Sequence, residues 1–195
     1  KQEAKLSRRG QLEVRALAKS NHVVGRTAWD RTCVARINPL ATYHHCYESL
    51  RPEFFSEQWD FRKCTPYTLF VSQGSYPIKG LHLLLEGLAE VSREFPQARL
   101  TVAGTRVFGT GVRGRLLQSS YSKYIAELLD KHKLNERVAF LGPSSASEMK
   151  RAMLSSNAIV LPSTIENSPN SLGEAMVLGI PVVASYVGGV PDFVD

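Results

Sequence analysis

The chain has 195 residues, 43% of them hydrophobic and 22% charged, with a net charge of +6. These values exclude disordered, collagen-like and coiled-coil classes and leave room for one ordinary domain and a flank. The longest apolar runs, Leu81–Leu85 around His82 and Val182–Ala184, fall far short of the roughly 20 residues that cross a bilayer.

The chain opens on Lys1-Gln-Glu-Ala-Lys5, with no apolar stretch of a signal peptide behind it. The first residue is not Met, so a piece of a longer protein is expected. Cys33, Cys46 and Cys64 are too few and odd in number for a disulfide framework, which points to a reducing, cytoplasmic setting. Residues 1–66 carry 12 Lys or Arg against 7 Asp or Glu, and residues 67–195 carry 12 against 11. The basic excess of the first third suits either a solvated helix face or an anionic partner such as a membrane headgroup. No aromatic interleaving of the kind that stacks bases accompanies it, so a nucleic-acid partner is not expected.

Residues 3–19 mix charge with Leu6, Leu12, Val14 and Leu17, the pattern of a basic amphipathic helix. A short strand is expected over 22–26 and a helix over 28–36, with Thr27 as its N-cap. Asn38 to Pro52 reads as an irregular connection. From Tyr67 the chain alternates strand and helix: strands at 67–71, 99–103, 138–141, 158–161 and 181–185, helices at 79–95, 119–133, 147–155 and 171–178. Apolar strands without alternation indicate a parallel sheet covered on both faces, hence a doubly wound, Rossmann-like α/β domain. In that topology the first and fourth of these strands are neighbours, and ligands bind outside their carboxyl ends. The loops there are Ser72–Ile78 and Pro162–Asn170.

In the second loop Glu166 and Glu174 stand eight apart, and Ser171 with Glu174 has the spacing of a capping box. Glu174 could therefore serve only the helix end. Alternatively, the helix N-terminus binds phosphate through amides near Ser171 and Leu172, with Glu174 on sugar hydroxyls beside it. The first loop ends on Lys79, whose charge opposes the dipole of the following helix unless an anion is near. A phosphate between the two loops would satisfy both.

Lys79-Gly80, Leu161-Pro-Ser163, Glu166-x7-Glu174, Glu174-Ala-Met, Gly179-Ile-Pro-Val-Val and Val187-Gly-Gly189 follow in order. Together they resemble the donor-binding half of a retaining, GT-B-fold glycosyltransferase of family 4, over about residues 67–195. Residues 20–66 resemble the end of the partner domain and the crossover linker of bacterial members that build surface polysaccharides. The resemblance implies Glu166 on the donor sugar, Glu174 on the nucleotide ribose and Lys79 on the diphosphate leaving group. Gln73, Gly74 and Gly104 would border the nucleotide, and backbone around Ser168, Pro169, Asn170, Ser171 and Leu172 would complete the cradle. It implies a nucleotide-sugar donor and a saccharide or lipid-linked acceptor bound through an N-terminal domain; the basic first third suits peripheral membrane contact, and Leu12, Val14 and Trp29, left without that domain, suit self-association of the fragment. No Asp-x-Asp pair occurs, so no cofactor or divalent metal is expected. The family's Arg about five residues before the Lys is absent, since Gly74 stands there. Either another cation such as Arg106 substitutes, or the diphosphate is held less tightly.

Gly109-Thr-Gly111-Val-Arg-Gly114 spells the dinucleotide fingerprint of an NAD(P)-dependent oxidoreductase. It follows the second strand of the set, not the first, and no helix opens directly behind it. His44-His45-Cys46 lacks the spacing of a metal site. A nucleotide-sugar or phospho-ligand binding module without catalysis is the remaining alternative.

Overall fold

The computed structural model describes residues 2–109 and 118–193, so Gly111 and Gly114 of the glycine string lie outside the described residues. The chain divides into two compact units. The first holds the residues up to Ser49, Glu166–Ser168, and those from Gly188 on; the second holds Leu50–Ile165 and Pro169–Val187. Residues 50–66 fall in the unit that carries the five-stranded sheet.

In the first unit, α1 (Gln2–Leu17), β1 (His22–Gly25), α2 (Ala28–Ile37) and β2 (Thr42–His45) follow in order. Its basic helix leaves Leu6, Leu12 and Val14 exposed. Helix α2 starts where expected. The Thr27 side chain accepts from the Asp30 amide, and the Asp30 carboxylate accepts in return from the Thr27 amide, a complete capping box. Strand β2 falls in the stretch read as irregular. It lies parallel to β1, pairing His22 with Thr42 and Gly25 with His45. Its residues are mostly exposed, so backbone hydrogen bonds hold it and apolar patterning could not announce it.

The second unit opens on a 3-10 turn, Pro52–Phe55. It continues through β3 (Thr68–Val71), α3 (Leu81–Glu94), β4 (Arg99–Ala103), α4 (Ser120–Lys131), β5 (Val138–Gly142), α5 (Ala146–Leu154), β6 (Ala158–Leu161), α6 (Asn170–Leu178) and β7 (Val182–Ala184). The sheet order is β5-β4-β3-β6-β7, and every pairing is parallel. This is the doubly wound α/β arrangement the alternation implies. Strands β3 and β6 are neighbours, so the chain reverses its winding direction between them. Leu81, Leu85 and Leu88 from α3 and Ile125, Leu128 and Leu129 from α4 pack with Leu100 and Val102 from β4. Fully burying each such side chain contributes about 1.5–3 kcal/mol.

Candidate functional site

Past the carboxyl end of β3 the chain makes a tight loop and a 3-10 turn over Pro77–Lys79, then enters α3 through Gly80. Gly80 is left-handed, with φ +72°, and a Cβ there would stand 1.9 Å from the Pro162 carbonyl oxygen. Only glycine lets this backbone approach the loop after β6 so closely. The Thr164 amide donates to the Ile78 carbonyl at 2.9 Å and ties the same two loops. The pair of loops chosen from topology is therefore brought together, with half-buried Lys79 on the turn that joins them.

Gln73 is occupied by its own loop. Its Oε1 accepts from the Gly74 amide at 3.0 Å, the Ser75 amide at 3.2 Å and the Ser75 hydroxyl at 3.0 Å. At Gly74 a Cβ would stand 2.8 Å from both Leu81 and Val102. A larger side chain there would have to displace these two buried core residues. Gly104, left-handed at φ +88°, lets β4 pass within reach of the Ser72 carbonyl. Beyond it, the ends of β4 and β5 frame a cavity of about 190 Å³ whose walls include Arg106, Phe108, Phe140 and Gly142. Arg106 lies along that wall, its side chain beside Gly142.

Helix α6 begins at Asn170, one residue earlier than expected, with Pro169 as N-cap and no side-chain cap. Proline has no amide hydrogen and a fixed φ, which suits it to a helix entry. The earlier start moves Glu174 from the third to the fifth helical position, so the Ser171–Glu174 capping box does not form. The Leu172 and Gly173 amides turn back to the Pro169 carbonyl, at 2.9 and 3.4 Å. The Leu172 amide, expected among the phosphate-binding donors, is thus engaged in the first turn of the helix itself.

Glu174 has a different partner. Arg51 Nε donates to Glu174 Oε1 at 2.6 Å and Arg51 Nη2 to Oε2 at 2.8 Å, a two-pronged ion pair across 123 residues. The Glu174 side chain is 1% exposed and that of Arg51 41%. The guanidinium also lies over the ring of buried Phe54, 4.7 Å from its centroid. The hydrogen bonds that Arg51 donates to Glu174 outweigh desolvation, which acts the other way, and leave the Arg51 pKa raised. Sequence reasoning placed Glu174 on a ribose as an open acceptor; here both of its oxygens are engaged and shielded. Arg51 was missed because nothing local marks it, although an arginine two residues from Glu53-Phe54 in a linker was the available signal.

Glu166, Asn167 and Ser168 belong to the first unit, where they are held firmly. Thr27 donates its hydroxyl to Asn167 Oδ1 at 2.6 Å, and Asn167 Nδ2 donates to Asp30 at 2.9 Å. Asp30 also accepts from the Tyr43 hydroxyl at 2.5 Å and the Arg26 amide at 2.9 Å. Burial works to raise the Asp30 pKa, but the hydrogen bonds from Tyr43, Arg26, Asn167 and Thr27 bring it below its ordinary value. Burial and the Asp30 carboxylate push Tyr43 up to about 12. The Glu166 carbonyl accepts from the Gly189 amide at 3.0 Å, and a Cβ on Gly188 would sit 1.9 Å from that carbonyl. The Gly188-Gly189 pair of the sequence motif is thus required by backbone packed on backbone.

Residues 52–195 match the family described as Glycosyl transferases group 1. The chain belongs to this family. Among the curated proteins similar to this group 1 chain is D-inositol 3-phosphate glycosyltransferase of Mycobacterium marinum, 33% identical over 115 residues. That match covers 59% of this chain and 22% of the relative. The putative colanic acid biosynthesis glycosyltransferase WcaL of Escherichia coli is 28% identical over 123 residues, 60% of this chain and 27% of that protein. The chain therefore spans about a quarter of the curated relatives it matches. In fold it resembles sucrose-phosphate synthase of Thermosynechococcus elongatus, with a TM-score of 0.76 and 20% identity over 95% of this chain and 45% of that one. Anabaena HepE, solved with UDP, gives 0.71 and 20% over 90% and 47%. The group 1 glycosyltransferase motifs read from the sequence and the parallel sheet thus agree with the relatives in family and in fold.

Proposed function

We propose that this chain carries the donor site of a glycosyltransferase that moves a sugar from a nucleotide-sugar to a saccharide or lipid-linked acceptor, with retention of configuration. The observation that carries this reading is the close approach of the loops after β3 and β6 at the sheet's reversal point, Gly80 against Pro162 and Thr164 bonded to Ile78, with Lys79 on the first loop and the start of α6 following the second. Breaking a sugar–phosphate bond builds negative charge on the leaving diphosphate, and fixed donors aimed at that charge lower the barrier. Lys79 and the amides of Asn170 and Ser171 are assigned that task, with no divalent metal required. Glu166 is assigned to the donor sugar, and the stretch of α6 around Glu174, eight residues on, to the nucleotide end. Family membership supports the transferase class, and UDP in related structures makes uridine the first base to test. The acceptor is assigned to protein outside these residues, in keeping with the share of the relatives this chain covers. The free cysteines Cys33, Cys46 and Cys64 suit a reducing, cytoplasmic setting. Among the described residues no helix is long and apolar enough to cross a membrane.

The test is transfer from radiolabelled sugar nucleotides by the full-length parent protein. Incorporation of label into a saccharide or lipid fraction is expected. Tight binding of the nucleotide without transfer or hydrolysis of any donor would favour a binding module instead.

A further inference from the structure

The donor reading leaves an electrostatic shortfall. A nucleoside diphosphate carries more than two negative charges near neutral pH, yet the loop from Ser72 to Lys79 holds a single cation. A second positive group, Arg51, is held against α6 through Glu174. Glu174 stands four residues past Asn170, about 6 Å along the helix axis from its amide end. Arg51 is clamped there by its two bonds to Glu174 and by the Phe54 ring.

The two members of the pair are unequal. The carboxylate is 1% exposed while 41% of the arginine side chain remains open. A neutral sugar hydroxyl is a weak competitor for a carboxylate already held by a charged fork. The arginine, however, has five N–H donors and spends two of them on Glu174, which leaves three for another anion. Its orientation is set in advance, so little side-chain freedom is lost when an anion arrives. Resting on the donor-site reading, we infer that Arg51 is a further binding residue for the anionic diphosphate and that Glu174 is its buried anchor. The pairing thereby supplies, from 123 residues away, the cation that the loop after β3 lacks.

The experiment compares UDP with uridine on the wild-type chain and its variants, by calorimetry for UDP and ligand-observed NMR for uridine. Arg51→Ala should weaken UDP at least about tenfold and flatten the salt dependence of its affinity, while uridine changes less than about twofold. Arg51→Lys, which keeps the charge and loses the fork, should recover part of the loss. Because Arg51→Ala strips a buried carboxylate of its partner, Arg51→Met combined with Glu174→Leu provides a well-packed control that should lose UDP to the same degree. Equal losses of UDP and uridine, or UDP bound as well by the double variant as by wild type, would overturn the inference. Absence of saturable UDP, GDP or ADP binding by the wild type would instead remove the donor-site reading beneath it.

Discussion

Glu166→Ala in the full-length parent is expected to leave nucleoside diphosphate affinity nearly intact and to lower sugar transfer at least about a hundredfold, the scale of losing one preorganised contact in the transition state. The backbone of this residue is pinned independently of its side chain. Its carbonyl accepts from Gly189, and the next residue is locked to Thr27 and Asp30. These bonds do not run through the carboxylate, so they persist in the variant. The assay pairs calorimetry of the diphosphate with transfer rates from the parent's own donor. Parallel losses in affinity and rate would mean that Glu166 serves the nucleotide or the loop, and its assignment to the donor sugar would fall.

The second large effect concerns stability and is asymmetric. Arg51→Ala should cost about 3 kcal/mol, because it strands a carboxylate that is 1% exposed. Glu174→Gln should cost about 1 kcal/mol or less. The amide keeps one acceptor for the guanidinium, and an arginine with 41% of its side chain exposed can turn to water. Urea unfolding of the two variants beside wild type measures the difference. Equal and small losses would show that the pair behaves as a solvated surface bridge, and the view of Glu174 as a buried anchor would fail with it.

The parallel sheet was legible because β3, β4, β5 and β6 are short apolar runs at regular intervals between amphipathic helices. The reversal point between β3 and β6 then followed from connection rules, and with it the two loops. Strand β2 was hidden because Tyr43, His44 and His45 show no inside–outside alternation. The capping box expected at Ser171 failed on two residues of register: with Pro169 rather than Ser171 as N-cap, Glu174 falls at the fifth helical position, past reach of the helix end. The contacts that hold Glu174 and the neighbour of Glu166 join residues more than a hundred positions apart, Arg51 with Glu174 and Thr27 with Asn167. No local pattern encodes such pairs; only the packed chain brings them together. The glycines were visible as motif letters, but their cause was not. Gly80 and Gly188 are each required by a carbonyl 1.9 Å from where a Cβ would be.

The central claim is that Lys79, the open end of α6 and their surroundings form a phosphate-binding donor site that works without metal. Calorimetric titration of the chain with UDP, GDP and ADP, each with excess EDTA and again with Mg²⁺, tests it most directly. One of the three should bind saturably at a one-to-one ratio, equally well in EDTA and in Mg²⁺, and Lys79→Ala should weaken it at least about tenfold. Binding that appears only with Mg²⁺, or that is indifferent to Lys79, would contradict the account.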